Sequence, residues 1–444
     1  MIMKLYDWCQ EIRSSFWFVP AWLVLGAVAL ATVLITVDAT VELHVVERWP
    51  LLFGAGASGA RGLLMAVAGS MITVAGVVFS ITIMVLALTS SQYTSRVLRN
   101  FMRDRVNQMV LGVFVGIFAY CLVVLRVIRG GDEEAFVPSL AVLGGLFLAF
   151  VGIACLVYFI HYISMAIQAS SIISTAAHEA IAAVDRLFPQ ELDEDADEDA
   201  DGDLAMPLAE QHWSSVPAQK TGYVESIHVD ALLRWAQEHG TVLRMERGIG
   251  DFVIEGTPVI SVADPDGLDE DTTNELNAVY VIGRHRTVEQ DASWGIRQIV
   301  DIALKALSPS INDATTAVMG VDYLEAILVR LASRQFPASQ RLDRGELHVI
   351  TRGPSFPSLL AEAFDQIRQN AAGNVAVLTR LLQALETIAG QTPSLRRRQA
   401  LRQHAELIAA VAERTIPSPH DRADIETAML RLSQVLATEE RRTQ

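Results

Sequence analysis

Four long apolar runs dominate the first 168 residues of the chain. Each run is long enough to cross the roughly 30 Å hydrocarbon core of a bilayer as a helix that rises about 1.5 Å per residue. Apart from Arg126 at one edge, the cores of these runs contain no Asp, Glu, Lys or Arg, so they can lie in lipid without a large charge penalty. The pattern therefore predicts a transmembrane domain over residues 1–168, with membrane-spanning helices at 16–37, 62–88, 109–127 and 137–163.

The loop after the second span determines the expected orientation. It carries the densest basic cluster near the membrane, formed by Arg96, Arg99, Arg103 and Arg105 against the single acid Asp104. Loops rich in Arg and Lys remain on the cytoplasmic side of the membrane. We therefore expect the N-terminus and the large C-terminal region to be cytoplasmic.

Small residues form regular patterns in two of the spans. On the third span, Gly112 and Gly116 form a GxxxG pair, which predicts a contact between helices. On the second span, small residues recur at alternating steps of four and three, which places them on one helix face. Two interpretations are open: close packing of this face within one four-helix bundle, or a polar path at the centre of a homo-oligomer. The members of this small-residue stripe are Gly69, Thr73, Gly76, Ser80, Ala87 and Ser90, and Ile83 is the only large residue in the series.

A run of hydrogen-bonding residues, 89–95, follows at the end of the second span. It fits either an interfacial extension of the helix or a vestibule at a cytoplasmic mouth. In the second interpretation, the mouth is lined by Gln92, Thr94, Arg96 and Arg99, and the two arginines attract anions.

A helix at 169–188 is expected to lead out of the membrane into an acidic linker at 189–215. Residues 189–203 contain nine acids and no base, which is typical of a solvated linker. The spacing of Asp197, Asp199 and Asp201 is similar to the start of a calcium loop, but position twelve is Leu208, where a bidentate Glu is needed. We therefore expect no metal site in this segment.

Glycine-punctuated β-branched runs after the linker predict a small β module at 216–290, of barrel or hammerhead type. Residues 250–259 are similar to half of a biotinyl or lipoyl hammerhead, but the carrier lysine is missing, so we expect a structural role. A strand is expected at 277–283. The chain then predicts a helical cytoplasmic domain at 291–444, in which each helix buries one face. Its helices are expected at 293–307, 314–331, 357–389, 394–414 and 419–440. The fold class is thus an α-helical membrane protein followed by a cytoplasmic α+β region.

Polar residues cluster around the proline turn that follows Leu307. The group consists of Asp301, Asn312, Asp313, Thr315 and Thr316. They fit either the capping of two helices and their turn, or an ion or ligand site at a helix start, where backbone N–H groups favour anions. Carboxylates at the same place oppose an anion, which weakens the second interpretation.

The composition narrows the classes of function. The chain has 444 residues, of which 51% are hydrophobic and 19% charged, with a net charge of −16 and a mean hydropathy of +0.31. These values exclude a disordered chain, a disulfide-stabilised secreted domain and a nucleic-acid-binding protein with a basic surface. The sequence contains no recognisable nucleophile–base pair, nucleotide loop or helical metal motif, so we expect neither an enzyme nor a cofactor.

Five segments resemble those of a known family: FSIT at 79–82, SSQ at 90–92, RVLRNF at 96–101, FIH at 159–161 and DIALKALSPSINDATTA at 301–317. They are similar to the bacterial membrane proteins catalogued as domain of unknown function 2254. The likeness covers nearly the whole chain except the acidic linker. The resemblance implies an integral inner-membrane protein and adds no reaction.

The leading hypothesis from the sequence is a homo-oligomeric, channel- or transporter-like protein of the bacterial inner membrane. Its expected partners are the lipid bilayer, further copies of itself, and an ion or small solute. The alternative hypothesis is a membrane-anchored regulatory or scaffolding protein whose cytoplasmic domain binds a partner. Neither hypothesis involves nucleic acid.

Overall fold

The computed structural model describes residues 17–40, 56–92, 105–129, 136–166, 168–192, 212–264, 267–286, 290–343 and 346–440. The chain forms two compact units, residues 1–171 and 172–444, and each is described by itself.

Four helices of the first unit correspond to the four predicted membrane spans and are candidates to cross a membrane. Among the described residues, each is long and apolar enough to cross a membrane. The second helix has 36 residues and is therefore about 54 Å long, well beyond the thickness of the hydrocarbon core. The bounds are α1 Phe18–Thr40, α2 Ala57–Gln92, α3 Arg105–Val127 and α4 Ser139–Ala166.

Helix α3 is the most buried of the four and packs against α1, α2 and α4. Its glycines permit the close approach of α1, because a Cβ atom at Gly112 would lie 2.6 Å from Cδ1 of Leu23. The helix contact predicted for the GxxxG pair is thus confirmed. Tyr120 is fully buried in the same core, and its hydroxyl donates a hydrogen bond to the carbonyl of Ala141, at 2.7 Å.

At one side of this bundle, charged side chains form hydrogen bonds with the backbone groups at the termini of two helices. The carboxylate of Asp38 accepts hydrogen bonds from the backbone N–H groups of Leu140 and Ala141, at 3.0 and 3.1 Å, in the first turn of α4. The guanidinium of Arg61 donates to the carbonyl of Ile128, at 2.7 Å, just after α3 ends. An acid at a helix N-terminus and a base at a C-terminus both complement the helix dipole.

The helix predicted at 169–188 is observed as α5 Ala169–Leu187, and most of it belongs to the second unit. This helix packs closely against a later helix of the unit, α8 Ala292–Ala306. A Cβ atom at Gly295 of α8 would lie 2.5 Å from Cβ of Ala180. Glycine at 295 is therefore required by this contact.

The strands of the second unit form two sheets, one of five strands and one of three. The larger has the order β1-β5-β3-β8-β7, in which β3 and β8 are parallel, and the smaller has the order β4-β2-β6. The strands are β1 Ser214–Pro217, β2 Gly222–Ile227, β3 Leu243–Met245, β4 Phe252–Val253, β5 Pro258–Val262, β6 Tyr280–Gly283, β7 Gln340–Asp343 and β8 Glu346–Ile350.

This topology corrects two expectations and leaves one untested. The larger sheet includes β7 and β8, so it is not confined to the predicted module at 216–290. The strand expected at 277–283 is wrong at its start, because residues up to 278 belong to the helix α7 Glu270–Ala278. Another helix, α6 Val229–His239, precedes β3. The strand order does not establish the predicted barrel or hammerhead, which stays a prediction.

The helices after residue 291 lie close to their predicted bounds, with one exception. The single helix expected at 357–389 is wrong, since Gly373 adopts a φ of +77° and the side chain of Asn374 caps a new helix by accepting from the N–H of Val377. The helices that follow α8 are α9 Ala314–Ala332, α10 Phe356–Asn370, α11 Val375–Ala389, α12 Leu395–Thr415 and α13 Pro419–Glu440.

A buried arginine of α12 satisfies the C-terminal carbonyls of α9. The guanidinium of Arg397, 1% exposed, donates to the carbonyls of Leu331, Ala332 and Arg334 at 3.0–3.1 Å. The carbonyl of Leu331 also accepts from the backbone N–H of Arg334 at 3.1 Å. Carbonyls at a helix end that are left buried and unpaired are costly. Arg397 therefore joins α9 to α12.

We predict that Arg397→Met lowers the free energy of unfolding of the second unit by about 3 kcal/mol or more, because three carbonyls lose a charged donor. The measurement is urea unfolding of the detergent-solubilised chain followed by circular dichroism. Arg414→Met, at an exposed position near the end of α12, is the matched control and should change little. Equal midpoints for the two variants would contradict the role of Arg397.

Candidate functional site

The small-residue stripe and the buried side of α2 lie on opposite faces of that helix. Gly69 and Val78 are nine residues apart, which at 3.6 residues per turn is two and a half turns. Val78 is 1% exposed, whereas Gly69 is exposed. The buried side follows the same spacing as the stripe and consists of Ala60, Leu64, Ala68, Met71, Ala75, Val78, Thr82 and Val85.

The stripe faces away from the chain's own bundle. Thr73, Ser80 and Ala87 are exposed like the glycines, and the hydroxyl of Thr73 donates only to the carbonyl of Gly69 within its own helix, at 2.8 Å. A Cβ atom placed on Gly69 or on Gly76 would meet nothing within 4 Å. The stripe therefore does not pack within the described part of the bundle. The side chain of Ser90 lies outside the described residues.

Glycines elsewhere in the bundle are used differently. A Cβ atom at Gly145 of α4 would lie 2.7 Å from Cδ2 of Leu64, and one at Gly152 would lie 2.9 Å from Sδ of Met71. Those glycines are needed because α4 approaches α2 closely. No helix of the described bundle requires glycine at the positions of the stripe. Each glycine lowers the stability of its helix by about 1 kcal/mol relative to alanine.

The outward faces of the neighbouring helices carry bulky side chains. On α1 and α4, Trp22, Phe147, Phe150 and Val157 are all more than 60% exposed. Large apolar and aromatic side chains on an outer surface are suited to contact with lipid. The outward side of α2 also carries large exposed side chains, among them Met65, Val77 and Met84, but they flank a stripe of small residues. Small residues are typical of faces where two helices meet in a membrane.

The sequence-based stripe omitted one member. Gly62 is exposed, and a Cβ atom placed on it would meet nothing within 4 Å. It precedes Gly69 by seven residues, as Gly69 precedes Gly76. This spacing of seven was readable in the sequence and extends the stripe toward the start of α2.

The predicted mouth cannot be placed in the structure. Gln92 ends α2, but its side chain lies outside the described residues, and Thr94, Arg96 and Arg99 lie outside them entirely. The vestibule therefore stays a prediction.

The polar turn between α8 and α9 is a helix cap. The carboxylate of Asp313 accepts from the backbone N–H of Thr316 at 3.0 Å and from its hydroxyl at 2.5 Å. Asn312 adopts a left-handed φ of +49° that directs the chain into α9. Asp301 is paired instead with Arg297 at 3.0 Å, and Thr315 is exposed. The capping interpretation is confirmed for Asp313 and Thr316, and the five residues do not converge on one site.

The described residues contain no group of three or more His, Cys, Asp or Glu side chains placed to hold a metal ion. Within the same residues, Cys121 and Cys155 are free thiols. The chemistry available on the outward face of α2 is thus limited to hydroxyl groups and closely approachable backbone.

A family model described as "Predicted membrane protein (DUF2254)" matches residues 13–387 of the chain. The chain belongs to this family. Three proteins named "Uncharacterized protein", two from strains of Mycobacterium tuberculosis and one from Mycobacterium bovis, are each 35% identical to it over 395 residues. Each alignment covers 87% of this chain and 74% of the relative. No solved structure matches the chain. The resemblance stated from the sequence is confirmed.

We predict opposite outcomes for two glycine substitutions in the bundle. Gly145→Leu should lower the thermal stability of the solubilised protein, because its side chain would collide with Leu64. Gly76→Leu should leave the fold of a single chain intact, since its side chain enters open space. Both are measured by thermal unfolding in a detergent that keeps the chain monomeric. A loss of stability for Gly76→Leu equal to that for Gly145→Leu would contradict the outward orientation.

The cap of α9 predicts a pH dependence. Hydrogen bonds from the hydroxyl and then from the backbone N–H of Thr316 hold the pKa of Asp313 below its ordinary value. The ionised carboxylate thus stabilises the fold at neutral pH, and this contribution is lost as the pH falls below about 4 and through the lowered pKa. Asn also caps helices, so Asp313→Asn should keep most stability at pH 7.

The measurement is the urea midpoint between about pH 7 and pH 3, the range in which carboxylates titrate. Wild type should lose more stability over this range than Asp313→Asn. Glu413→Gln, at an exposed carboxylate on α12, is the control and should keep the wild-type slope. An unchanged slope for Asp313→Asn would show that this cap does not titrate as expected.

Proposed function

We propose that the chain assembles as a homo-oligomer in the bacterial inner membrane, with the outward face of α2 directed to the symmetry axis. The assembly conducts an ion or small solute in the manner of a channel or transporter. The observation that carries the proposal is the open space at Gly69 and Gly76, on the face of α2 opposite its buried side.

Three physical arguments support this arrangement. In a closed symmetric assembly, every copy presents the same face to the axis. Small residues allow helix backbones to approach closely in lipid, where bulky side chains would keep them apart. The hydroxyls of Thr73 and Ser80 offer hydrogen bonds to water or an ion without a charged group buried in the membrane.

The orientation follows from the distribution of arginine in the sequence. The basic loop after α2 supports a cytoplasmic location for that end of the helix. Both termini, and with them the second unit, are then cytoplasmic. The proposal assigns no enzymatic activity to the chain.

An exposed apolar patch on the second unit favours the alternative function. Phe252 and Ile254 are 51% and 56% exposed, and the ring of Tyr223 lies edge to face with Phe252 at 5.1 Å between centroids. Val281, on β6 at the other edge of the same sheet, is also exposed. Apolar surface of this kind marks interaction sites, so a membrane-anchored scaffold would use this sheet to bind a partner protein.

The decisive experiment measures assembly and conduction together. We predict a symmetric oligomer in lipid nanodiscs and ion flux in liposomes that Gly76→Leu or Ser80→Leu reduces at least about tenfold, since a bulky side chain fills the axis. Gly26→Leu is the matched control. Gly26 is an exposed glycine of α1, and a Cβ atom placed on it would meet nothing within 4 Å, so the flux of this variant should equal that of the wild type.

A strictly monomeric protein without flux would contradict the proposal. In that case, Phe252→Ser together with Ile254→Ser tests the scaffold, because both side chains are exposed and their replacement should abolish partner recruitment while leaving the fold intact. Flux that responds equally to Gly26→Leu and Gly76→Leu would also contradict the assignment of the axis.

A further inference from the structure

A cavity of about 530 Å³ lies between the end of α6 and the start of α7 in the second unit. The end of β5 and the loop that follows this strand complete its wall. Small-molecule sites in proteins have volumes of about 300–1,000 Å³, so this cavity is large enough for an organic ligand. Every residue of its wall belongs to the second unit, and none belongs to α2.

Two stacked rings of α6 line the cavity. The ring centroids of Trp235 and His239 are 4.0 Å apart, with an angle of 15° between the ring planes. The indole N–H of Trp235 donates to the carboxylate of Glu275 on α7 at 3.2 Å, which fixes the indole. Nδ1 of His239 lies 2.9 Å from the backbone carbonyl of Trp235. Because a carbonyl can only accept, Nδ1 carries the hydrogen, and Nε2 of the neutral imidazole is an acceptor.

The charged side chains of the wall are acidic. Asp264 and Asp269 line the cavity, and none of the described residues that line it is Lys or Arg. The carboxylate of Asp269 accepts from the backbone N–H of Thr272 at 2.8 Å, as the cap of α7. Hydrogen bonds from the hydroxyl and then from the backbone N–H of Thr272 hold the pKa of Asp269 below its ordinary value. Asp269 is therefore ionised at neutral pH.

The helix ends at the cavity do not favour an anion. At the start of α7, the backbone N–H groups of Thr272 and Thr273 already donate to the side chain and the carbonyl of Asp269. At the end of α6, the left-handed Gly240 turns the chain, and its wall position lies beside a helix C-terminus. Such a terminus carries a partial negative charge. The electrostatic field of the wall is therefore negative.

We propose that this cavity binds a small organic cation that carries a primary ammonium or a guanidinium group. These groups donate several hydrogen bonds, and the carboxylate of Asp269 and the imidazole of His239 supply acceptors. The indole of Trp235 attracts a cation placed over its face. An anion would be repelled by Asp269, and an apolar ligand would leave the polar groups of the wall without partners. The site goes beyond the proposed function and involves no residue of the membrane helices.

The test uses the full-length chain in detergent, labelled with fluorotryptophan and observed by fluorine NMR. The chain has seven tryptophans, and the signal of Trp235 is the one that disappears in Trp235→Phe. Three probes share the same body and differ in charge: phenethylamine, which is protonated at neutral pH, phenethyl alcohol, which is neutral, and phenylacetate, which is negative. We expect phenethylamine to shift the Trp235 signal at a concentration at least about tenfold lower than the alcohol does. Phenylacetate should leave the signal unchanged.

Two variants with the same change of charge test the role of the carboxylate. Asp269→Asn removes the charge and keeps the helix cap, because Asn also caps helices. This variant should raise the Kd for phenethylamine at least about fivefold. Glu413→Gln, at an exposed carboxylate on α12, is the control and should keep the wild-type Kd. Unchanged signals of the other tryptophans show that both variants are folded.

Several results would overturn the proposal. One is the absence of any shift of the Trp235 signal with phenethylamine, and another is an equal response to the amine and the alcohol. A preference for phenylacetate would assign the cavity to anions instead, and an unchanged Kd in Asp269→Asn would remove the carboxylate from the site. The readout is local to the cavity and does not depend on flux or oligomeric state, so failure here is distinguishable from failure of the proposed function.

Discussion

Backbone groups at helix ends must find partners where water is scarce, and this constraint organises both units of the protein. In the membrane unit, Asp38 satisfies N–H groups at the start of α4, and Arg61 satisfies a carbonyl beyond the end of α3. In the second unit, Asp313 caps the start of α9, and Arg397 caps its end. Each of these side chains comes with a charge that opposes the partial charge of the helix end it contacts. Unpaired groups at these places would cost more than most single packing contacts contribute.

Fixing the helix ends also decides which helix faces remain available. The glycines of α3 and α4 lie in close contacts with α1 and α2, where a larger side chain would not fit. Helix α2 then buries the face that contains Leu64, Met71 and Val78, and its opposite face has no role within the described bundle. The glycines of that face are not required by any contact within the described bundle, and the proposed function rests on them.

The sequence predicted the helices well and the sheets poorly, for a physical reason. Helix bounds depend on local periodicity and caps, so the spans and most later helices lie within a few residues of expectation. The parallel pairing of β3 with β8 joins residues about a hundred positions apart, and β4 has only two residues, so neither leaves a local pattern. The stripe on α2 was readable as one face, but its direction was not. Both faces of that helix are apolar, and in lipid hydrophobicity does not distinguish a protein-facing side from a lipid-facing one.

The spacing of the exposed glycines on α2 indicates the crossing angle of a helix that would pack against them. Gly62, Gly69 and Gly76 are separated by seven residues, whereas the pair Gly112 and Gly116, which contacts α1, is separated by four. A repeat of seven drifts by only about 20° per step on a straight helix, so it stays in register with a partner that crosses at about +20° in a left-handed sense. A repeat of four favours the steeper, right-handed crossing of GxxxG pairs. The stripe is therefore suited to long, shallow contact between parallel copies of α2 around an axis, because such a crossing keeps all three glycines at the interface over about 21 Å of helix.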